Sequence, residues 1–324
     1  MTTTYKPEGH LMATPENREM IASLQGLERA MLLGKILEAP VTLCDSRMRL
    51  HVDLYGIRGV IEKEEVSFSP VSEAVKDIAV ITRVGKPVCF KVIGFEKQGG
   101  KTVAILSRRA AQMECYHNYI SALTCGEIIR GRVTHLENFG AFVDIGCGIV
   151  SLLSIDCMSV SRIPHPRERV AVAEDIWAVV KSIDRIEKRI FISQRELLGT
   201  WEENAARFEA GQTVAGIVRS VESYGAFIEL APNLAGLAEL KNDQTQLQIE
   251  SLIGQYAAVY IKSIIPERMK VKLVLVDAYR GGIRKMPLSY YISGESCERM
   301  DYWRYSPECS QKIIDTIFPN ESLA

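Results

Sequence analysis

Two aromatic rings three residues apart around a glycine, Phe139-Gly-Ala-Phe142, are the residues whose type and spacing most suggest chemistry. The pattern returns as Tyr224-Gly-Ala-Phe227, 85 positions on (224 minus 139). Neighbouring side chains of a strand alternate between its faces, so positions three apart should diverge. A glycine-centred bulge or strong coil brings them back to one face. Two exposed rings side by side would be a platform for stacking unpaired bases. The competing reading puts Phe142 and Phe227 in a core and leaves only Phe139 and Tyr224 exposed. Both readings stay open at the level of the residues.

Patterns for other chemistry are incomplete. Cysteines stand at 44, 89, 115, 125, 147, 157, 297 and 309, and no two are three apart, so there is no zinc-ribbon spacing. His135-Leu-Glu137 is half of a nucleobase-deaminase signature without its Pro-Cys-x-x-Cys. Gly146-Cys-Gly148 starts a dinucleotide fingerprint, but Ser151 fills the third glycine position. Gly294-Glu-Ser296-Cys-Glu298 lacks the closing glycine of a nucleophile elbow. Asp144, Asp156, Asp175 and Asp184 are dispersed rather than clustered for two metals. No enzyme, no cofactor and no metal site is expected.

The elements that must position the rings are strands. Both aromatic motifs follow a pair of glycines five apart, 126 and 131, then 211 and 216. Both units close on a strand pair, "AVVKSIDRIEKRIFISQR" and "AVYIKSIIPERMKVKLVL". These runs are short, β-branched and alternating, broken by Gly, Pro, Asn or Asp. About five strands in some 70 residues suit a small closed barrel, because closure removes sheet edges. A worn copy precedes them: "HVDLYGIRGVIEKEEV" and "VGKPVCFKVIGFEKQGGKTVAILSRRAA", with Met48 and His51 at the places of the aromatics.

The expected fold is therefore mainly β, with three tandem five-stranded barrels joined by short α-helices. The expected boundaries are an N-terminal extension with a helix (1–33), a degenerate barrel (34–110), a linker helix (111–124), a second barrel (125–199), a linker helix (200–210), a third barrel (211–279) and a C-terminal tail (280–324). Thr14-Pro15-Glu16 signals a helix start, with the helix running to about residue 33. Thr200 to Glu203 reads as a capping box. In the tail, "KIIDTIF" is apolar enough to dock as a short helix, with the neighbouring rings packed on the third barrel.

The second unit, "GEIIRGRVTHLENFGAFVDIG…VVKSIDRIEKRIFIS", resembles the S1 RNA-binding domain, an OB-fold module. The third unit resembles another, and the three-barrel layout is similar to short S1-like proteins of Firmicutes. The resemblance implies single-stranded RNA on one barrel face, bound by two aromatics, a histidine in a turn, and an Asp and Arg of the closing hairpin. In the second barrel these positions are Phe139, Phe142, Leu152 for the histidine, Asp184 and Arg189. In the third they are Tyr224, Phe227, Glu239 for the histidine, Ile265 and Lys270. It also implies messenger RNA and the small ribosomal subunit as partners. A protein-interaction scaffold, or an RNA-holding part of a nuclease or transcription complex, is the alternative.

Charge tempers this expectation. The 324 residues carry net charge −1, with 47% hydrophobic and 24% charged residues. Residues 125–199 hold ten Lys/Arg against ten Asp/Glu, and 211–279 hold six against seven. Salt-dependent affinity must then come from a few placed cations. The candidates are Arg132, Lys181, Lys188 and Arg189, then Arg219, Lys262, Lys270 and Lys272, with His135 as a further ring beside Phe139. No apolar run approaches a membrane span, and the opening residues lack the basic-then-apolar pattern of a signal peptide. A cytoplasmic chain with reduced thiols, and no membrane partner, is expected.

Overall fold

Strand runs this short bury one face only by closing on themselves. The computed structural model, which describes residues 5–71, 73–239, 251–279 and 288–322, shows three such closures. The first barrel is β1 (Leu37–Cys44), β2 (Leu50–Leu54), β3 (Ile57–Ile61), β4 (Pro87–Gln98) and β5 (Lys101–Ser107). The second is β6 (Ile128–Glu137), β7 (Gly140–Gly146), β8 (Ile149–Ser154), β9 (Asp175–Asp184) and β10 (Arg189–Ser193). The third is β11 (Thr213–Glu222), β12 (Gly225–Ala231), β13 (Leu234–Ala238), β14 (Tyr256–Ile265) and β15 (Lys270–Tyr279). In each, the third strand runs parallel to the fifth and the other pairs are antiparallel, the OB-fold arrangement. The chain is mainly β.

The N-terminal region departs from expectation. It holds two helices, α1 (Pro15–Ile21) and α2 (Leu24–Leu32), not one. Thr14 caps the first, as its sequence predicts, but Ser23 turns outward and accepts from Gly26 N–H at 3.0 Å, starting a second helix. After α3 (Asp77–Ile81), α4 (Arg108–Asn118) links the first two barrels. The reciprocal Thr200–Glu203 capping box is present at α5 (Trp201–Ala205), which ends five residues short of Ala210.

The first barrel has its own core, whereas the second, the third and the tail share one. Asn233, fully buried, ties these three together. Its amide accepts from Val160 N–H and donates to the carbonyls of Arg195 and Gly199, while its own carbonyl accepts from Tyr305 Oη–H at 2.7 Å.

The tail corrects one expectation. "KIIDTIF" is not a helix: β17 (Asp315–Ile317) pairs with β16 (Tyr302–Arg304). The rings of Trp303 and Tyr305 lie in the core shared by the second and third barrels, and Tyr305 Oη–H donates to Asn233 O between β12 and β13 of the third. Ile128 N–H donates to Glu298 O and Met300 N–H donates to Gly126 O, so the tail adds backbone bonds to the start of β6. A Cβ at Gly126 would collide with the Met300 carbonyl, which is one reason that position is glycine.

At the first interface, Glu8 is the hub. It accepts from Arg108 Nε at 2.7 Å and from Cys89 N–H at 3.0 Å, and its own N–H donates to Asp144 at 2.7 Å. Burial works against its charge, but Arg108 holds its carboxyl below the usual range. Burial, reinforced by Glu8, pushes Asp144 up to about 7.

Candidate nucleic-acid interface

The aromatic pair of the second barrel meets at the surface. Ala141 and Val143 are buried, so alternation turns Phe142 outward, where it is half-buried; Phe139 is 55% exposed. Their rings lie 6.0 Å apart, edge to face at 89°. The bulge that orients this face is not centred on the glycine. It lies across the ladder, at Thr134 of β6, between the pairs Val133–Val143 and His135–Phe142. Phe139 precedes β7 in the turn, so strand alternation does not constrain it. Gly140 serves close approach instead: a Cβ there would stand 2.5 Å from the Leu153 carbonyl oxygen. Gly225 repeats this in the third barrel, 2.6 Å from the Ala238 carbonyl oxygen.

Register extends the pair into a row. His135 on β6, Phe142 on β7, Leu152 on β8, Phe191 on β10 and Ser182 on β9 are successive partners around the barrel. His135 stacks on Phe142 with centroids 6.3 Å apart at 26°, and its Nε2 lies 2.7 Å from Glu137 Oε1. Phe191 was not among the candidates from sequence. The signal was present in Arg189-Ile-Phe-Ile-Ser193, where Ile190 and Ile192 are buried and alternation must turn Phe191 out.

The cations divide into groups. Arg189 stands opposite Asp184 at the end of the closing hairpin, exposed, with Glu187 3.6 Å away. Asp184 accepts from the N–H groups of Ile186 and Glu187, holding the turn that carries Lys188 and Arg189. Lys181 is a bulge residue of β9 with Nζ 3.0 Å from Cys157 Sγ, and Lys262 is the matching bulge residue of β14, exposed. Arg132 lies 3.9 Å from Asp175, half-buried beside the N-terminal segment. Arg219 belongs elsewhere. Its side chain is 5% exposed and bonded to Glu168 and Glu229 in a buried cluster with Arg169, so it is not a surface cation for phosphate.

The third barrel repeats the row with substitutions: Ser220, Phe227, Leu237, Lys272 and Ser263. Tyr224 is 60% exposed and meets Phe227 at 6.3 Å and 88°. Lys270 and Lys272 are exposed on β15. The registers also correct one assignment. Leu237 faces Phe227 as Leu152 faces Phe142, so the counterpart of Glu239 is Ser154, opposite Gly140, and not Leu152.

In the first barrel the register does equate His51 with Phe142 and Met48 with Phe139. No platform results. The His51 ring is buried between Asp45 Oδ2 and Arg58 Nε, each 3.0 Å away. The His51 hydrogen bond foremost holds the Asp45 carboxyl far below the usual range. Val60, the next member of the row, is also buried.

A row of half-exposed rings on a closed OB barrel is the kind of surface on which unpaired bases can stack. Residues 123–195 match the family described as the S1 RNA binding domain, so the chain carries a domain of that family. Its relatives include small ribosomal subunit protein bS1 of Staphylococcus aureus, 31% identical over 212 residues, 64% of this chain and 51% of the relative. The protein of the same name from Staphylococcus haemolyticus is 29% identical over 260 residues, 78% of this chain and 64% of the relative. A multidomain Streptococcus pneumoniae protein with nucleic-acid-binding domains aligns over 75% of this chain and 73% of its own at 17% identity, with a TM-score of 0.24. The chain spans about half the length of the first of these ribosomal relatives. Among the described residues, no helix is long and apolar enough to cross a membrane.

Proposed function

We propose that the protein binds single-stranded RNA, with the outer face of the second barrel as its principal site. The row His135, Phe142, Leu152 and Phe191, with Phe139 above it, carries the reading. Bases stack on these rings and Arg189 meets a phosphate at the end of the row. The third barrel is a secondary site, where Tyr224 and Phe227 stack and Lys262, Lys270 and Lys272 supply charge. Tandem weak sites act through effective concentration, each bound barrel holding RNA near the next. The bS1 relatives support a setting at the small ribosomal subunit, and the reading adds a cytoplasmic location and messenger RNA as the strand held. The role is binding, without catalysis.

The test is titration of fluorescent single-stranded RNA with the full chain at several salt concentrations, with Phe139→Ala in parallel. Binding that weakens in folded Phe139→Ala supports the site; unchanged affinity rejects it. The even charge of the second barrel favours one competing reading, a protein-interaction scaffold that kept the fold without RNA. That reading predicts no RNA binding in this titration. Co-sedimentation with the small subunit tests the ribosomal setting separately.

A further inference from the structure

The second barrel's face does not stop at its last ring. Val150 lies two residues before Leu152 on β8, and Arg189 two residues before Phe191 on β10. Each is one step, about 6.8 Å, farther along the same outward side. Both Val150 and Arg189 line a cleft of about 310 Å³ between the first and second barrels. That volume lies at the lower end of small-ligand sites, about 300–1,000 Å³.

The opposite wall comes from the first barrel and from α4. Phe68 is half-buried and leans on Tyr116, with centroids 5.4 Å apart at 55°. Its backbone N–H donates to Gln112 Oε1 at 2.9 Å, and Gln112 Nε2 donates to the Cys147 carbonyl at 3.0 Å. The loop carrying Phe68 is thereby fastened to the second barrel, so the ring is held in place before any ligand arrives. Four cations line the cleft, Arg83, Arg108, Lys188 and Arg189, against two carboxylates, Glu73 and Glu187. Arg83 and Arg108 face the buried Glu8, which leaves Lys188 and Arg189 on the side continuous with the stacking row. The Arg189–Glu187 pair at 3.6 Å is a surface pair, weak enough for a phosphate to replace the carboxylate.

We propose that this cleft takes one further nucleotide of a strand lying on the second barrel, its base against Phe68 and its phosphate on Arg189. The strand leaves the barrel at Phe191 and crosses to the first barrel, which has no platform of its own and contributes one ring to its neighbour's site. This inference rests on the RNA-binding reading of the second barrel.

The test uses the full chain and single-stranded oligouridines of about four to about sixteen nucleotides, the span of OB-fold site sizes. One base–aromatic stack is worth about 1–3 kcal/mol, so Phe68→Ala should weaken binding of the longer strands about five-fold or more. The shortest strand, filled by the row itself, should bind as before. Phe68→Leu keeps the packing on Tyr116 and removes the aromatic face, so it should show the same loss if Phe68→Ala lowers thermal stability. A photoreactive thiouridine strand should crosslink within residues 67–71. If Phe139→Ala weakens every length while both Phe68 variants bind all lengths normally, the cleft site is overturned and the barrel site stands. If neither position matters, the RNA-binding reading itself fails. Crosslinks confined to the third barrel would also overturn the cleft site.

Discussion

Phe191 of the second barrel and Lys272 of the third occupy the same place: each pairs in parallel with the leucine that faces the platform phenylalanine, Leu152 in one barrel and Leu237 in the other. The same rung therefore offers a ring in one barrel and a charge in the next. Phe191→Ala should cost roughly 1–3 kcal/mol of RNA affinity and leave the salt dependence alone. Lys272→Ala should lower the slope of log affinity against log salt by about 0.7, one phosphate on a single strand. Titrations at several salt concentrations check both; equal slopes in wild type and Lys272→Ala would remove Lys272 from the interface.

Phe139 and Tyr224 rank the barrels. The second barrel adds His135 and Phe191 to its pair, whereas the third offers Ser220 and Lys272 at those rungs. Phe139→Ala should weaken binding about five-fold or more, and Tyr224→Ala less. Both rings are exposed, so neither change should unfold its barrel. A larger loss at Tyr224 would reverse the ranking.

Arg219 should behave as a structural residue. Arg219→Met strands Glu168 and leaves Glu229 with Arg169 alone, inside the joint between the second and third barrels. Removing one partner of a buried pair typically costs about 3–5 kcal/mol. Chemical denaturation should show that loss, while the salt slope of RNA binding in the folded variant stays as in wild type.

Glu38 should make the anchoring of the N-terminal segment depend on pH. Glu38 accepts from the N–H groups of Gly9, Leu11 and Met12, and burial foremost pushes its carboxyl up from 4.5 to about 7. The folded state keeps a proton that the unfolded chain releases near 4.5. This contribution is therefore full below pH 4.5 and is lost as pH rises to about 7. Glu38→Gln should flatten the fall in stability across that window, read from denaturation midpoints at successive pH values. An unchanged pH profile would assign the fall to other groups, Asp144 first among them.

Trp303 anchors the tail. It is 4% exposed within the core shared by the second and third barrels, 5.8 Å from Tyr305. Trp303→Ala should cost about 3–5 kcal/mol in chemical denaturation. Unaltered stability would mean the tail is an appendage to the barrels.

Local chemistry decided much of this in the sequence. Alternating β-branched runs with glycine punctuation gave three barrels, because a five-stranded sheet of that length has no other way to lose its edges. The Thr14 and Thr200 caps were legible because capping is a contact among residues three apart. The aromatic pairs were legible because a repeat exposes them. Tertiary structure alone decided what depends on register and long-range packing. A bulge at Thr134, on the strand opposite the glycine, sets the rung on which Phe142 meets His135, and no local pattern marks it. Arg219 read as a surface cation because its partners, Glu168 and Glu229, are 51 and 10 residues away. The tail's backbone reached the second barrel through single bonds, Cys125 N–H to Glu321 O, Ile128 N–H to Glu298 O and Met300 N–H to Gly126 O, between segments so far apart in the chain that neither announces the other.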